Sequence, residues 1–150
     1  MAASLPVHSY EFAIPSSTNI YEETKQWMSE MVFYKDEIEF LSRLAQKFSL
    51  KKSDKEILMM LEGIADQQKK INGELFNHLG KIKLVDENSV SREVSNINVE
   101  HKDIASEVYS YAISMRLIKK QVFQLADTQL KSRKRNKQIN DDYKDGGIAL

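Results

Sequence analysis

The sequence predicts an all-α fold: an antiparallel, up-down-up three-helix bundle with coiled-coil-like heptad packing and a long third helix. Three observations carry that prediction. Apolar residues recur with a 3.5-residue period through three segments, a spacing that keeps an apolar stripe on one side of a helix as it supercoils. The connections between segments are only a few residues long, and short connections make consecutive helices antiparallel neighbours. Glycine and proline are scarce, at 5 and 2 of 150 residues, which suits long regular elements and not a turn-rich β fold. With 41% apolar residues, the chain can fill the core of one domain.

The first helix is expected over about residues 19–49. Asn19, followed three residues later by Glu22, has the form of a capping box. Ile20, Thr24, Trp27, Met31, Tyr34, Ile38, Leu41, Ala45 and Phe48 then alternate in steps of four and three. Phe33, Phe40 and Leu44 lie beside this seam and are expected to widen it, as on a helix that touches two neighbours. The second helix is expected over about 53–83, behind a Ser53–Glu56 capping box. Its seam is Ile57, Leu61, Ile64, Gln68, Ile71, Leu75, His78 and Ile82. Gly63 and Gly73 each cost about 1 kcal/mol in a helix interior relative to alanine. Asn72-Gly73 is also a hairpin signal, but neither flank alternates with period 2, so one helix is expected, with a kink near Gly73 as its weak point.

The third helix is expected over about 88–133, with Val90, Val94, Ile97, His101, Ile104, Val108, Tyr111, Met115, Ile118, Val122 and Leu125 on its seam. Residues 1–18, with Pro6 and Pro15, are expected to be extended, and their Val7, Tyr10, Phe12 and Ile14 are able to dock on the bundle or on a partner. Residues 134–150, ending Gly146-Gly147-Ile148-Ala149-Leu150, are expected to form a flexible tail. The core is expected to hold Trp27, Ile38, Leu41, Leu61, Ile64, Ile71, Ile104, Val108 and Tyr111.

Composition narrows the function. With 22 basic and 22 acidic residues there is no global field to draw the chain onto nucleic acid or membrane. Without cysteine there is no disulfide, thiolate metal site or cysteine nucleophile. No apolar run is long enough to span a bilayer. Met-Ala-Ala-Ser-Leu-Pro lacks the basic and apolar regions of a secretory signal, so a cytoplasmic location is expected. No Gly-x-Ser-x-Gly, phosphate-cradling glycine loop or His-Glu-x-x-His occurs. No enzyme, catalytic residue or cofactor is expected.

Three polar residues, Gln68, His78 and His101, interrupt the seams. Antiparallel helices 2 and 3 bring the two histidines within a turn or two of each other, at the end of the bundle that holds Glu22, Glu23 and Glu30. A metal-binding bundle using His78, His101, Glu23 and Glu74 is therefore one alternative. Against it, the spacing lacks the paired Glu-x-x-His of carboxylate-bridged sites, and two histidines fall short of a histidine-rich zinc site. Buried polar residues that fix register explain the same pattern. The run Lys131, Arg133, Lys134, Arg135 and Lys137 offers a second alternative, nucleic-acid binding. It is short, has no interleaved aromatics, and is followed by Asp141, Asp142 and Asp145.

The pattern Trp27-x3-Met31-x-Phe33-x3-Glu37-x3-Leu41-x-Arg43-Leu44, followed by two further heptad segments, resembles a group of small cytosolic coiled-coil proteins of Bacteroidetes known as uncharacterised hypothetical proteins. The resemblance spans about residues 20–130. It implies the fold and a bacterial cytoplasmic origin, and it carries over no functional residue.

The leading expectation is a non-enzymatic protein-interaction or structural module. Helices 1 and 2, each about 30 residues, are expected to cover helix 3 only to about Ile118. Val122, Phe123, Leu125 and Leu130 would then be left as an exposed apolar surface for a partner, expected to be a second copy in a homodimer.

Overall fold

The computed structural model describes residues 17–87 and 91–148. Three helices form the bundle: α1 (Ser17–Phe48), α2 (Lys55–Glu87) and α3 (Ser91–Ile148), with a 3-10 turn at Lys52–Asp54 before α2. Every pair of helices is in contact, and no strand occurs among the described residues. Residues 1–16, expected to be extended and to present Val7, Tyr10, Phe12 and Ile14, lie outside the described residues, as does Val90.

Two compact units divide the chain. In the first, residues 17–32, 70–87 and 91–109 pack together. Ile20, near the start of α1, meets Ile82, near the end of α2, and Ile97, near the start of α3, with Tyr21 and Val85 against them. Thr24 is fully enclosed here; its hydroxyl donates to the Ile20 carbonyl at 2.7 Å, which satisfies a polar group that the seam buries. In the second unit, residues 33–48, 55–69 and 110–148 pack together. Phe48, at the end of α1, meets Leu125 and Ala126 of α3, with Leu44 and Ile57 beside them. α1 start with α2 end, and α1 end with α2 start, is the up-down-up arrangement. The buried residues follow the heptad lines: Met31, Ile38, Leu41 and Ala45 on α1, Leu61, Ile71 and Leu75 on α2, and Ile104 through Val122 on α3 in steps of three and four.

The structure corrects several boundaries. α1 begins at Ser17, two residues before the expected cap. Entry to α2 is closed by Lys51 and Asp54. The Lys51 N–H donates to the Asp54 carboxylate at 3.0 Å, and the Asp54 N–H donates to the Lys51 carbonyl at 3.1 Å. This reciprocal pair closes the turn that leads into α2, and the expected Ser53–Glu56 cap falls outside the described side chains. α2 runs unbroken through Asn72-Gly73. A Cβ at Gly63 or Gly73 would meet nothing within 4 Å, so neither glycine answers a packing need. α3 does not stop near residue 133; it continues to Ile148. Residues 134–145 contain neither glycine nor proline, and i,i+4 contacts such as Gln138 Nε2 to Asp142 at 3.1 Å support the exposed helix.

Packing is also corrected in detail. Phe33 and Phe40 are exposed, at 63% and 48%, because each is rotated about 100° away from its seam neighbour and the seam alone supplies both contacts. Trp27 and Ile64 are half-buried, while the other residues expected in the core are buried. The indole is covered on one face by His101 at 4.6 Å. Val94 is exposed along with the rest of 92–96, so Ile97 is the first packed layer of α3. This late start moves the whole covered stretch toward the C-terminus. Val122 and Leu125, expected to be uncovered, are at 0% and 9% exposure, and the last packed layer is Leu125–Ala126, well past Ile118.

Candidate functional site

The two seam histidines and three charged side chains form one line of hydrogen bonds in the first unit. His78, on α2, faces the interior with 0% exposure because it takes a seam position; His101 does the same on α3 at 4%. The bond between His78 Nε2 and His101 Nδ1 is 2.9 Å long. His78 Nδ1 lies 2.8 Å from Glu100 Oε1, and His101 Nε2 lies 2.7 Å from Glu23 Oε1, on α1. Lys81 Nζ closes the line by donating to Glu100 Oε2 at 2.8 Å. The His101 ring lies between two others, stacked on Trp27 and on His78, whose centroid is 5.1 Å away. The two carboxylates are about one-third exposed, so the line runs from one half-wet carboxylate to another through a dry centre.

Two of these groups depart from their ordinary proton affinity. Burial pulls the Glu100 carboxyl upward, but the hydrogen bonds and charges of Lys81 and His78 outweigh it and hold the group below the usual carboxylate value. Burial pushes His101 below the ordinary imidazole value, against the Glu23 carboxylate, which supports its charge, and with the His78 ring, which opposes it.

The structure brings together His78, His101 and Glu23 from the residues considered for a metal, but not Glu74. Glu74 pairs instead with Glu107. That hydrogen bond, with burial and the Glu74 and Asp103 charges, raises the Glu107 carboxyl, while Lys70 opposes the rise. Nor does the histidine arrangement fit a metal. Two nitrogens on one tetrahedral zinc, at about 2.0–2.1 Å from the ion, stand about 3.3 Å apart and point at the ion; here they are closer and point at each other. Among the described residues no three His, Cys, Asp or Glu side chains converge to hold a metal. Sequence reasoning missed Glu100 and Lys81 as members of the line, and Trp27 as the ring stacked beside it. The signal was available for two of them: if antiparallel α2 and α3 pair His78 with His101, then Glu100 and Lys81 fall beside that pair.

The residues expected to form surfaces divide between core and solvent. Of the expected partner surface, Val122 and Leu125 are core, whereas Phe123 and Leu130 are about half exposed, at 47% and 52%. Lys131, Arg133, Lys134, Arg135 and Lys137 are all exposed. The Arg133 guanidinium lies 5.0 Å from the Phe48 ring centroid, and Lys131 pairs with Asp127 at 3.0 Å. Elsewhere in the second unit, the Tyr111 hydroxyl donates to the Ile64 carbonyl at 2.8 Å, and Lys119 pairs with Glu37. Burial, then the nearby Tyr34, pushes the Tyr111 phenol up.

No helix among the described residues is long and apolar enough to cross a membrane. Compared with family models, curated proteins and solved structures, the chain finds no match.

Proposed function

We propose that this chain is a non-enzymatic interaction module of the bacterial cytoplasm whose partner is a second copy of itself, joined through the far end of α3. The observation that carries the reading is the far end of α3, which is exposed among the described residues. Beyond the Leu125–Ala126 layer, residues 127–148 continue for about 33 Å at 1.5 Å per residue. Nearly all of their described side chains are exposed, including Leu130, Ile139 and Tyr143. Charge complementarity favours a second copy as occupant. Leu130, Lys134, Lys137 and Asp141 are spaced four, three and four, so they share one face. Two such helices, antiparallel about a two-fold axis between residues 137 and 138, set Lys134 of each copy opposite Asp141 of the other. A parallel pair would set Lys134, Lys137 and Asp141 each against its own copy, whereas the antiparallel pair leaves only Lys137, beside the axis, near its like.

Light scattering across micromolar concentrations tests this. The full chain is expected at twice its 17.3 kDa, and truncation after Asp127, which spares the core, is expected to give a monomer. Lys134→Glu should weaken the dimer, and Lys134→Glu with Asp141→Lys should restore it. A full chain that stays monomeric would refute the reading.

One observation favours a second reading, nucleic-acid binding. Residues 116–137 carry eight basic residues against one acidic, Asp127, on a chain of zero net charge. Affinity for a labelled duplex that falls steeply with salt, and weakens when Lys134 and Arg135 are replaced by alanine, would support phosphate contacts; a flat salt response would dismiss them.

A further inference from the structure

The geometry points to His78 and His101 as a buried proton-binding site: the pair holds one shared excess proton, as an imidazole–imidazolium unit, and releases the bundle's stability when that proton is lost or a second is gained. The inference rests on counting hydrogens and is independent of how α3 associates. Three contacts, at 2.8, 2.9 and 2.7 Å, run in series from Glu100 through His78 and His101 to Glu23. Each needs one hydrogen. An ionised carboxylate only accepts, so His78 Nδ1 and His101 Nε2 must both be protonated. That accounts for both hydrogens of two neutral imidazoles. The contact between Nε2 and Nδ1 then has two lone pairs and nothing to share, between two buried rings. A third hydrogen, placed on either facing nitrogen, satisfies all three contacts at once. A fourth puts two N–H groups head to head at that distance.

Charge reaches the same answer. The groups facing the pair are Glu23 from α1, Lys81 from α2 and Glu100 from α3. Further along the same two helices, within about two turns of the pair, are Glu74 and Lys70 of α2 and Asp103 and Glu107 of α3. Two carboxylates, one ammonium and one imidazolium sum to zero in the immediate shell. Neutral rings would leave a net negative charge, and two charged rings a net positive one, in a partly desolvated site. The Trp27 face on His101 adds a quadrupole that favours a cation there.

The sign of the pH dependence follows. Below the ordinary imidazole value of 6.5, the unfolded chain takes two protons on these rings and the folded chain holds one. The unfolded state therefore gains as pH falls, and the unfolding constant rises by up to about tenfold per pH unit. Above that value the unfolded chain holds none while the folded pair keeps one. Stability then falls as pH rises, by up to the same factor per unit, until the pair lets go. The histidine contribution is an inverted V with its apex near 6.5, unlike an ordinary buried neutral histidine, whose stability only rises with pH to a plateau.

Imidazole 15N spectra of the full chain carrying His8→Gln, which leaves this pair as its only histidines, test the count directly. At pH 7 three nitrogen-bound protons are expected over the four ring nitrogens, with Nδ1 of His78 and Nε2 of His101 fully protonated and the facing pair sharing the third. Two protons at pH 7, with both rings neutral, would overturn the proposal. Urea unfolding of the same chain between pH 5 and 9 supplies the second readout: an apex near 6.5 that disappears in His78→Gln supports it, and a monotonic rise to a plateau overturns it. If His78→Gln does not fold, the proton count and the pH profile of the chain with both histidines decide alone.

Discussion

Val122→Ala is the substitution that best separates the structure from a count of residues along the helices. Sequence spacing leaves Val122 beyond the reach of α1 and α2, whereas the structure encloses it completely. The change removes two methyl groups, about 1.6 kcal/mol of transfer free energy at about 0.8 kcal/mol each. A cavity of roughly 50 Å³, if half of it collapses, adds about 0.6 kcal/mol at about 24 cal/mol per Å³. Alanine's better helix propensity returns about 0.5 kcal/mol. The expected net loss is therefore about 1.5–2 kcal/mol, or a fall in Tm of some 3–8 °C for a chain of this size. Phe123→Ala, next door but half exposed, is the control, and should cost less despite removing more atoms. Urea unfolding followed by helical circular dichroism, at one fixed protein concentration, gives both values. A Val122→Ala loss within 0.5 kcal/mol, with Phe123→Ala the larger, would mean that the cover over α3 ends earlier than Ala126.

Tyr111→Phe should cost about 0.5–1.5 kcal/mol, since it removes only the hydroxyl donated to the Ile64 carbonyl and leaves the ring packed; the same urea titration reads it. Gly73→Ala should stabilise the chain by about 0.5–1 kcal/mol, because α2 is helical there and open space awaits the methyl; a loss instead would mean that the helix needs a break at that point. Glu107→Gln should raise stability slightly at pH 7 and not at pH 4. The Glu107 carboxyl is raised above its usual value, so the stability linked to its proton is present in acid and lost as pH climbs through the folded value; unfolding at the two pH values checks the difference.

Much of the fold was legible in the sequence because a heptad line states which face of a helix is buried. The burial of Met31, Ile38, Leu41, Leu61, Ile71, Ile104, Val108, Tyr111 and Ile118 follows from spacing alone. Even the polar interruptions were legible as places, since Gln68, His78 and His101 are all buried where the period put them. The unexpected continuation of α3 to Ile148 was harder to read. Its far half has no seam to announce it, and solvated helix formers such as Lys134 through Lys137 look the same in a tail as in an exposed helix.

What the sequence determined by itself, then, is the rotation of each helix about its axis and the direction of each relative to the next, through periodicity and short connections. Only the tertiary structure decided the axial offsets. A heptad pattern looks the same after a slide of one repeat, so it cannot say that α3 first packs at Ile97, that cover ends at Ala126, or that Phe48 meets Leu125. The histidine line depends on that offset. His78 and His101 were expected within a turn or two of each other, but a bond of 2.9 Å, and the choice of Glu100 and Glu23 over Glu74 as its ends, requires the helices to be set to within a fraction of one turn. Hydrogen bonds fall off over tenths of an ångström, whereas hydrophobic burial tolerates ångströms. The sequence could therefore place the apolar core, and only the packed helices could place the proton.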